Sequence, residues 1–333
     1  MELDEEDLRL INALQIGPRL PWTVLGEVLD RHPTSLAARW DRISATGAAW
    51  ITAHPIGSPD QMSLSFHDVQ CDPARREDAI RAIAAIPDVF TIEECFRNRD
   101  MMLTVITPTP TWLVESVYPQ LDQVPGLIRY ESSFCTKLHY GAFNWRLDTL
   151  TPGQRTALQH AAGVRALYRG TLPPKYRPII QELCRNGRAT AADIAETVGL
   201  HPATARRQLQ KILDAGVLSF RCEVANGLTG YPIICQWFAR LPASLHDDAA
   251  AQLGSLGSLR LCASTTGATN FMFLMWLRTA ADIMAVERTA AERIPELELV
   301  ESVVIANVRK RVGWMLNRDG TTTGEVTVPG DAW

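Results

Sequence analysis

Between Pro202 and Ala215 the chain carries Thr204, Arg206, Arg207, Gln208 and Lys211, interleaved with Ala205, Leu209 and Ile212. At helical spacing the three apolar residues share one face and leave the polar five on or near the other. An arginine can donate two hydrogen bonds to guanine O6 and N7, and a glutamine can pair with adenine N6 and N7, in the major groove of DNA. Lys211, nearer the helix end, suits a phosphate, a contact that positions without specifying sequence. A solvated face of an amphipathic helix would look the same in isolation. What favours DNA is the stretch in front of it. Thr190 is a good N-cap for a helix over Ala191 to Val198 with Ile194 and Val198 inward. Gly199-Leu200-His201 then makes a tight turn, and Pro202 takes the first position of the next helix, where its missing N–H costs nothing. With a helix over Pro178 to Arg185 before it and Gly216 as a stop after it, this is a helix-turn-helix signature.

The pattern occurs twice. Residues 10–50 align with 179–219 at a shift of 169, with Leu14 on Leu183, Arg19 on Arg188, His32-Pro33 on His201-Pro202 and Gly47 on Gly216. The first copy has helices over Trp22 to Leu29 and Pro33 to Ala45, and its outer-face residues are Thr34, Ser35, Ala38, Arg39 and Arg42. Charge separates the copies: residues 1–55 hold five Arg and Lys against eight Asp and Glu, a net of −3, whereas 172–224 hold eight against five, a net of +3. Phosphate neutralisation dominates non-specific affinity, so the second copy is expected to contribute more to DNA binding, with Arg206 and Arg207 foremost.

After each helical module the period changes. Strand-like 62–71, helical 73–85, strand-like 88–96 and 100–107, helical 109–121 and alternating 127–139 give the order βαββαβ. The same order returns over 231–240, 243–254, 258–265, 269–277, 280–293 and 297–309, with Glu131-Ser132 matching Glu301-Ser302 at a shift of 170. The expected class is α+β, two repeats of a winged-type helix-turn-helix followed by a ferredoxin-like domain. Expected bounds are 1–55 and 60–141 for the first pair, 142–174 for a linker helical from Thr151 to Tyr168, 175–224 and 230–314 for the second pair, and 318–333 for a frayed tail.

Composition fits this plan. The chain has 333 residues, 46 % hydrophobic and 21 % charged, with a net charge of −4, which excludes a uniformly basic nucleic-acid binder but permits a local basic patch. The acidic start is unlike a secretory n-region, and the longest strongly apolar run, Phe271 to Leu277, is far short of a membrane span. Seven isolated cysteines without a C-x-x-C pair read as reduced thiols in a cytoplasmic protein, with no metal site expected. There is no G-x-G-x-x-G, P-loop or G-x-S-x-G, and no cofactor is expected. His32 and His201 fall in turns where they cap or pack, and Glu93-Glu94 point to opposite faces of a strand. The chain is therefore expected not to be an enzyme.

Three segments carry a family resemblance: LDEEDLRLINALQ at the start, ADIAETVGLHPATARRQLQKILDAGVL in the second helix-turn-helix, and ESVVIANVRKRVGW near the end. They resemble the Lrp/AsnC (feast/famine) transcription regulators, in a tandem double-length form. The resemblance implies a sequence-specific regulator of double-stranded DNA, without membrane association. Its ferredoxin-like (RAM) domains would pair with each other or with those of a second chain, giving homo-oligomers, and bind an amino acid or related small effector. The implied effector positions are the turn between the second and third strands and the last strand: Arg97, Asn98, Arg99, Asp100 and Ser132 in the first copy, and Thr266, Gly267, Thr269, Asn270 and Ser302 in the second. Polar turns hold such residues without any ligand. Asn270 stands where the family often has Asp, and the first copy lacks the glycine. The same two-module architecture also occurs in siroheme decarboxylases, which resemble these regulators but use His and Arg after the helix-turn-helix to grip a tetrapyrrole's carboxylates. Here Arg221 and His54 occupy that stretch, and the sequence does not join them into one cluster.

Overall fold

The computed structural model describes residues 2–55, 62–96, 98–142, 144–163, 170 and 172–330. The chain opens with α1 (Glu5–Ile16), α2 (Trp22–Leu29), α3 (Pro33–Ala45) and strand β1 (Ala49–Pro55). It continues through β2 (Ser63–Cys71), α4 (Arg76–Ala84), β3 (Val89–Cys95), β4 (Met101–Thr107), the short helices α5 (Pro110–Trp112) and α6 (Tyr118–Asp122), and β5 (Leu127–Tyr140). After α7 (Pro152–Ala162) the order returns as α8 (Arg177–Arg185), α9 (Ala191–Val198), α10 (Pro202–Ala215) and β6 (Leu218–Val224). Then come β7 (Ile233–Arg240), α11 (His246–Gly254), β8 (Leu259–Thr265), β9 (Phe271–Leu277), α12 (Ala281–Arg293) and β10 (Glu298–Arg311). This is the expected α+β plan of winged helix-turn-helix and antiparallel sheet.

Local chemistry explains the helix ends. Thr190 caps α9 as anticipated: its Oγ1 accepts from the Asp193 N–H at 3.2 Å while the Asp193 carboxylate accepts from the Thr190 N–H at 2.8 Å. Asp4 and Asp7 form the same reciprocal box at the start of α1. The helix expected over 109–121 is present as one helical run over 110–122. A π turn over Leu113–Val117 lies between α5 and α6, next to Pro119, which has no N–H to give the preceding turn. The linker helix ends earlier than expected, at Ala162, with Gly163 at φ 66° after it; residues 164–169 lie outside the described part.

The tail corrects a second expectation. β11 (Trp314–Leu316) turns back on β10 and pairs with β12 (Thr322–Val326), and the Thr322 N–H donates to the Gly47 carbonyl at 2.9 Å. Left-handed glycines at Gly313 (φ 82°) and Gly320 (φ 81°) allow these turns. Val312, at φ 50°, shares the β10–β11 turn with Gly313, an uncommon conformation for a β-branched residue.

The two halves face each other about a local twofold. Strands β1 and β6 pair antiparallel with Thr52 opposite Arg221, two positions that are themselves equivalent in the repeat. Beside them two equivalent arginines exchange places. Arg188 donates to the Pro18 and Leu20 carbonyls at 2.7 and 2.9 Å, and Arg19 donates to those of Gly187 and Ala189. This is isologous pairing, of the kind that joins subunits, within one chain.

Farther along, each ferredoxin-like sheet joins the other at both edges. β5 pairs with β8, β3 pairs with β10, and β10 also pairs with β7, so eight strands close in the order β10-β3-β4-β2-β5-β8-β9-β7. The ferredoxin-like domains, expected to pair with each other or with those of a second chain, pair here within one chain. Side chains alternate across the barrel wall. Met101, Leu103 and Val105 face outward into a core with Ile80 and Ile83 of α4, while Met102, Thr104 and Ile106 face the lumen. On β9, Phe271, Phe273 and Met275 pack outward with Ala249 and Leu253 of α11 and with Val286 and Ala290 of α12, while Met272, Leu274 and Trp276 face inward.

Candidate functional site

The two third helices differ in what their arginines touch. In the first module Arg39 donates to Asp4 at 2.8 Å and to Asp7 at 2.5 Å, and Arg42 reaches Asp7 at 2.7 Å. Asp7 is almost completely buried, and the Arg39 guanidinium beside Asp4 holds that carboxyl below its usual range. Thr34 is bonded to the His32 ring at 2.8 Å, and Ser35 is exposed. The expectation that Arg39 and Arg42 stand free on an outer face is therefore corrected: α1 neutralises them. In the second module the positions equivalent to Asp4 and Asp7 are Pro173 and Tyr176. Arg206, Arg207 and Lys211 are exposed and have no ion pair among the described residues; Thr204 and Gln208 are half-buried.

The expected effector residues do not assemble into one pocket. Arg97 lies outside the described residues. Asp100 is occupied by Arg76 and by the Cys71 N–H at 2.8 Å, which fastens the end of β2. Ser132 bonds the His67 ring at 2.8 Å and accepts from Tyr118 at 3.1 Å. Thr266 accepts from the Phe134 N–H at 2.9 Å, and Asn270 is bonded both ways to the Leu241 backbone at 3.0 and 2.8 Å. Gly267 and Asn270 border a shallow surface depression, and Ser302 is exposed. The β3–β4 turn does reach across the barrel. Asn98 donates to Glu301 at 3.0 Å, and Arg99 bridges Asp68 at 3.1 Å and Glu301 at 2.5 Å with its guanidinium over the Phe238 ring. Of the expected positions, Arg99 and Thr269 line the cavity described next.

That cavity is the barrel lumen, about 610 Å³ in volume. Eight-stranded barrels have room for interior side chains or for one small ligand, and here space remains. Its walls are mainly apolar, with Phe66, Phe90, Met102, Met272, Leu274 and Trp276, and besides Arg99 three further arginines, Arg221, Arg260 and Arg311, line it. Behind them Glu223, almost fully buried, accepts from Arg221 at 3.0 Å and from Arg260 at 2.5 Å. Burial alone would raise its pKa, but Arg260, Arg221 and Arg311 hold it below the ordinary carboxylate range. Arg260 lies 3.9 Å over the Trp276 ring and Arg311 5.0 Å from it. Burial, with Arg260 close by, lowers Arg311 to about 10. Glu93, on β3, faces the same lumen, and burial pushes it up to about 7 against the pull of Arg311 and Arg260. On this side of the lumen three guanidiniums thus surround one committed carboxylate, a local positive surplus that suits an anion, whereas the Arg99 side carries the carboxylates of Asp68, Glu131 and Glu301.

His54 of β1 also lines the lumen, 5.0 Å from the Phe90 ring, so the structure brings His54 and Arg221 to one cavity although the sequence had not joined them. Sequence reasoning missed Arg260, the single charge on the buried strand β8, and Arg311, which ends the Arg309-Lys310-Arg311 run of β10. The cluster is one-sided. The repeat-equivalents of Arg221, Arg260, Arg311 and Glu93 are Thr52, Phe90, Gly141 and Ala263.

Comparison with known proteins bears on both regions. A family model of winged helix-turn-helix DNA-binding domains matches residues 177–219. No curated protein matches the chain. Among solved structures, the siroheme decarboxylase NirDL superposes with a TM-score of 0.57 at 13 % identity over 93 % of both chains, and its complex with an iron-uroporphyrin III analogue with 0.56 over 88 % of both. The regulator AsnC of E. coli is similar to 41 % of this chain, over 93 % of its own length, with a TM-score of 0.37 and 24 % identity. The expectation that the chain is not an enzyme is overturned by this comparison, because the fold shared along nearly its whole length is that of an enzyme. The chain combines a winged helix-turn-helix module with a closed barrel of the architecture seen in that decarboxylase.

Proposed function

We propose that the barrel lumen binds a largely apolar molecule bearing several carboxylates, of the tetrapyrrole class, and that the chain removes carboxyl groups from it as CO2. The observation that carries this reading is the set Arg221, half-buried, with Arg260 and Arg311, both buried, at the wall of a mainly apolar cavity of about 610 Å³. Guanidiniums stabilise a carboxylate, so those they grip are the ones that stay and fix the ligand's orientation. A carboxylate laid on the apolar wall near Met102 and Leu274 gains no such partner, and its conversion to neutral CO2 is favoured there. The test is titration of the full chain with siroheme, followed by absorbance, with mass analysis of the bound tetrapyrrole. Binding with loss of CO2 supports the reading; Arg260→Ala with Arg311→Ala should weaken binding at least about tenfold. Absence of binding refutes it.

A second reading rests on a different surface. Arg206, Arg207 and Lys211 on α10 are exposed and unpaired among the described residues, in the module that matches DNA-binding domains. The same chain is then a sequence-specific DNA binder whose occupancy the barrel ligand regulates, with that ligand in the role expected of an amino-acid-like effector. Binding to a labelled duplex from upstream of its own gene, against scrambled DNA across a salt series, decides it. Assembly of whole chains into a homo-oligomer belongs with this reading and is checked by light scattering.

A further inference from the structure

We infer that Glu93 is the proton donor of the barrel cavity, delivering its carboxylic-acid proton to the carbon from which a ligand carboxylate leaves. The inference rests on the decarboxylase reading and adds a residue to it. Four other carboxylates lie in or behind the cavity wall, and each is engaged: Asp68 and Glu301 by Arg99, Glu131 by Arg129, and Glu223 by Arg221 and Arg260. Glu93 alone among them has neither a hydrogen bond nor an ion pair to its carboxyl among the described residues, although it is part of the same wall. Its neighbour Glu94 shows the contrast. It points the other way and is held by Asn307 at 3.0 Å and Arg309 at 3.3 Å.

The strand places Glu93 at the border of the two surfaces the reaction needs. It lies opposite Met102 of β4, on the apolar wall, and opposite Val308 of β10, three residues before Arg311. The charged and titratable groups around it are Arg311 from β10, Arg260 from β8, Arg221 from β6, His54 from β1 and Cys95 on its own strand. An unpartnered carboxyl in such a place is less costly when it carries its proton. Its pKa near 7 suits a general acid at neutral pH.

The step balances without a further reagent. The bond between the methylene carbon and the leaving carboxylate breaks and CO2 departs. The electron pair stays on the carbon and takes the Glu93 proton, which leaves a methyl group and a Glu93 carboxylate that water reprotonates. Arg221, Arg260 and Arg311 hold the carboxylates that do not react.

The experiment compares wild type, Glu93→Gln and Glu93→Asp as full-length chains, with siroheme as the probe and thermal melts to confirm folding. Binding is followed by absorbance, single-turnover CO2 loss by mass, and rate against pH. The expected result is that Glu93→Gln binds siroheme within about threefold of wild type yet loses at least about a hundredfold in rate, together with the fall in rate above pH about 7. Glu93→Asp should regain part of the rate. If Glu93→Gln turns over at the wild-type rate with the wild-type pH profile, the assignment is wrong and the decarboxylase reading stands. If it loses binding along with rate, or does not fold while Glu93→Asp behaves as wild type, Glu93 holds structure or ligand and donates no proton, and the assignment is again overturned. Wild type that fails to bind siroheme, or binds it without releasing CO2, overturns both.

Discussion

Helices α3 and α10 occupy equivalent places in their modules, begin with the same His-Pro pair and bury the same face, yet one is electrostatically silent and the other is not. Part of the difference lies in the helices, where Arg206 and Arg207 stand at the places of Ala37 and Ala38. The rest lies outside them: Asp4 and Asp7 on α1 engage Arg39 and Arg42, whereas the equivalents of those two acids, Pro173 and Tyr176, carry no charge, and Lys211, at the place of Arg42, faces solvent. Whether a basic helix is available to a polyanion depends on the helix packed behind it as well as on its own residues. The barrel repeats this lesson: four positions that carry Arg221, Arg260, Arg311 and Glu93 in one half of the wall have uncharged equivalents in the other.

Four experiments would break or sharpen that contrast. The largest effect is expected at Glu223. Glu223→Gln leaves the Arg260 guanidinium, buried, and that of Arg221, half-buried, without their carboxylate and should cost about 3–5 kcal/mol in a urea melt. The same change at its repeat-equivalent, His54→Gln, should cost less than about 1.5 kcal/mol. Equal losses would show that the one-sided cluster has no structural weight. Next, Asp7→Ala removes the shared acceptor of Arg39 and Arg42. Those arginines are 29 % and 49 % exposed, so solvent screening reduces the expected loss to about 1–3 kcal/mol. The freed arginines should also raise non-specific DNA affinity, and no change in either quantity would remove Asp7 as the cause of the silence.

Third, Arg206→Ala with Arg207→Ala should weaken duplex binding at least about tenfold and lower the salt slope by about two. Arg39→Ala with Arg42→Ala should leave affinity within about twofold. Comparable losses from the two pairs would mean that both helices touch DNA. The smallest effect is at the β10–β11 turn, where Val312→Asn should raise stability by about 1 kcal/mol by relieving a left-handed β-branched residue. A drop in stability would show that the valine's packing outweighs its backbone.

Much of the fold was legible because its signals are local. The Thr190 cap, the Gly199 turn and Pro202 fix the second helix-turn-helix from within about 30 residues, and the repeat at 169 carries the reading to the first. The cavity was not legible, because it is made by strand pairings between residues more than a hundred apart, such as Cys135 with Thr265 and Thr91 with Arg311. One signal did exist. The run Phe271 to Leu277 has no polar alternation, as expected of a strand buried on both faces, and in this barrel the second face is the lumen. Another was available by laying the repeats side by side, where Arg260 falls on Phe90 and Arg311 on Gly141. Arg39 and Arg42 looked free because the sequence places Asp4 and Asp7 more than 30 residues away, while the fold brings them within 3 Å.

The internal twofold has a consequence for regiochemistry. Two identical subunits closing such a barrel would present the same groups from both sides, and a ligand could enter in either of two equivalent poses. Fusion of the halves lifts that requirement, and the wall bearing Arg221, Arg260 and Arg311 has no counterpart across the axis. A ligand with several like carboxylates therefore meets one handed edge. On the decarboxylase reading, once one of them has reacted the ligand must turn within the lumen, or leave and return, before a second takes its place. The order in which equivalent groups are consumed is then set by the protein and not by the ligand's own symmetry.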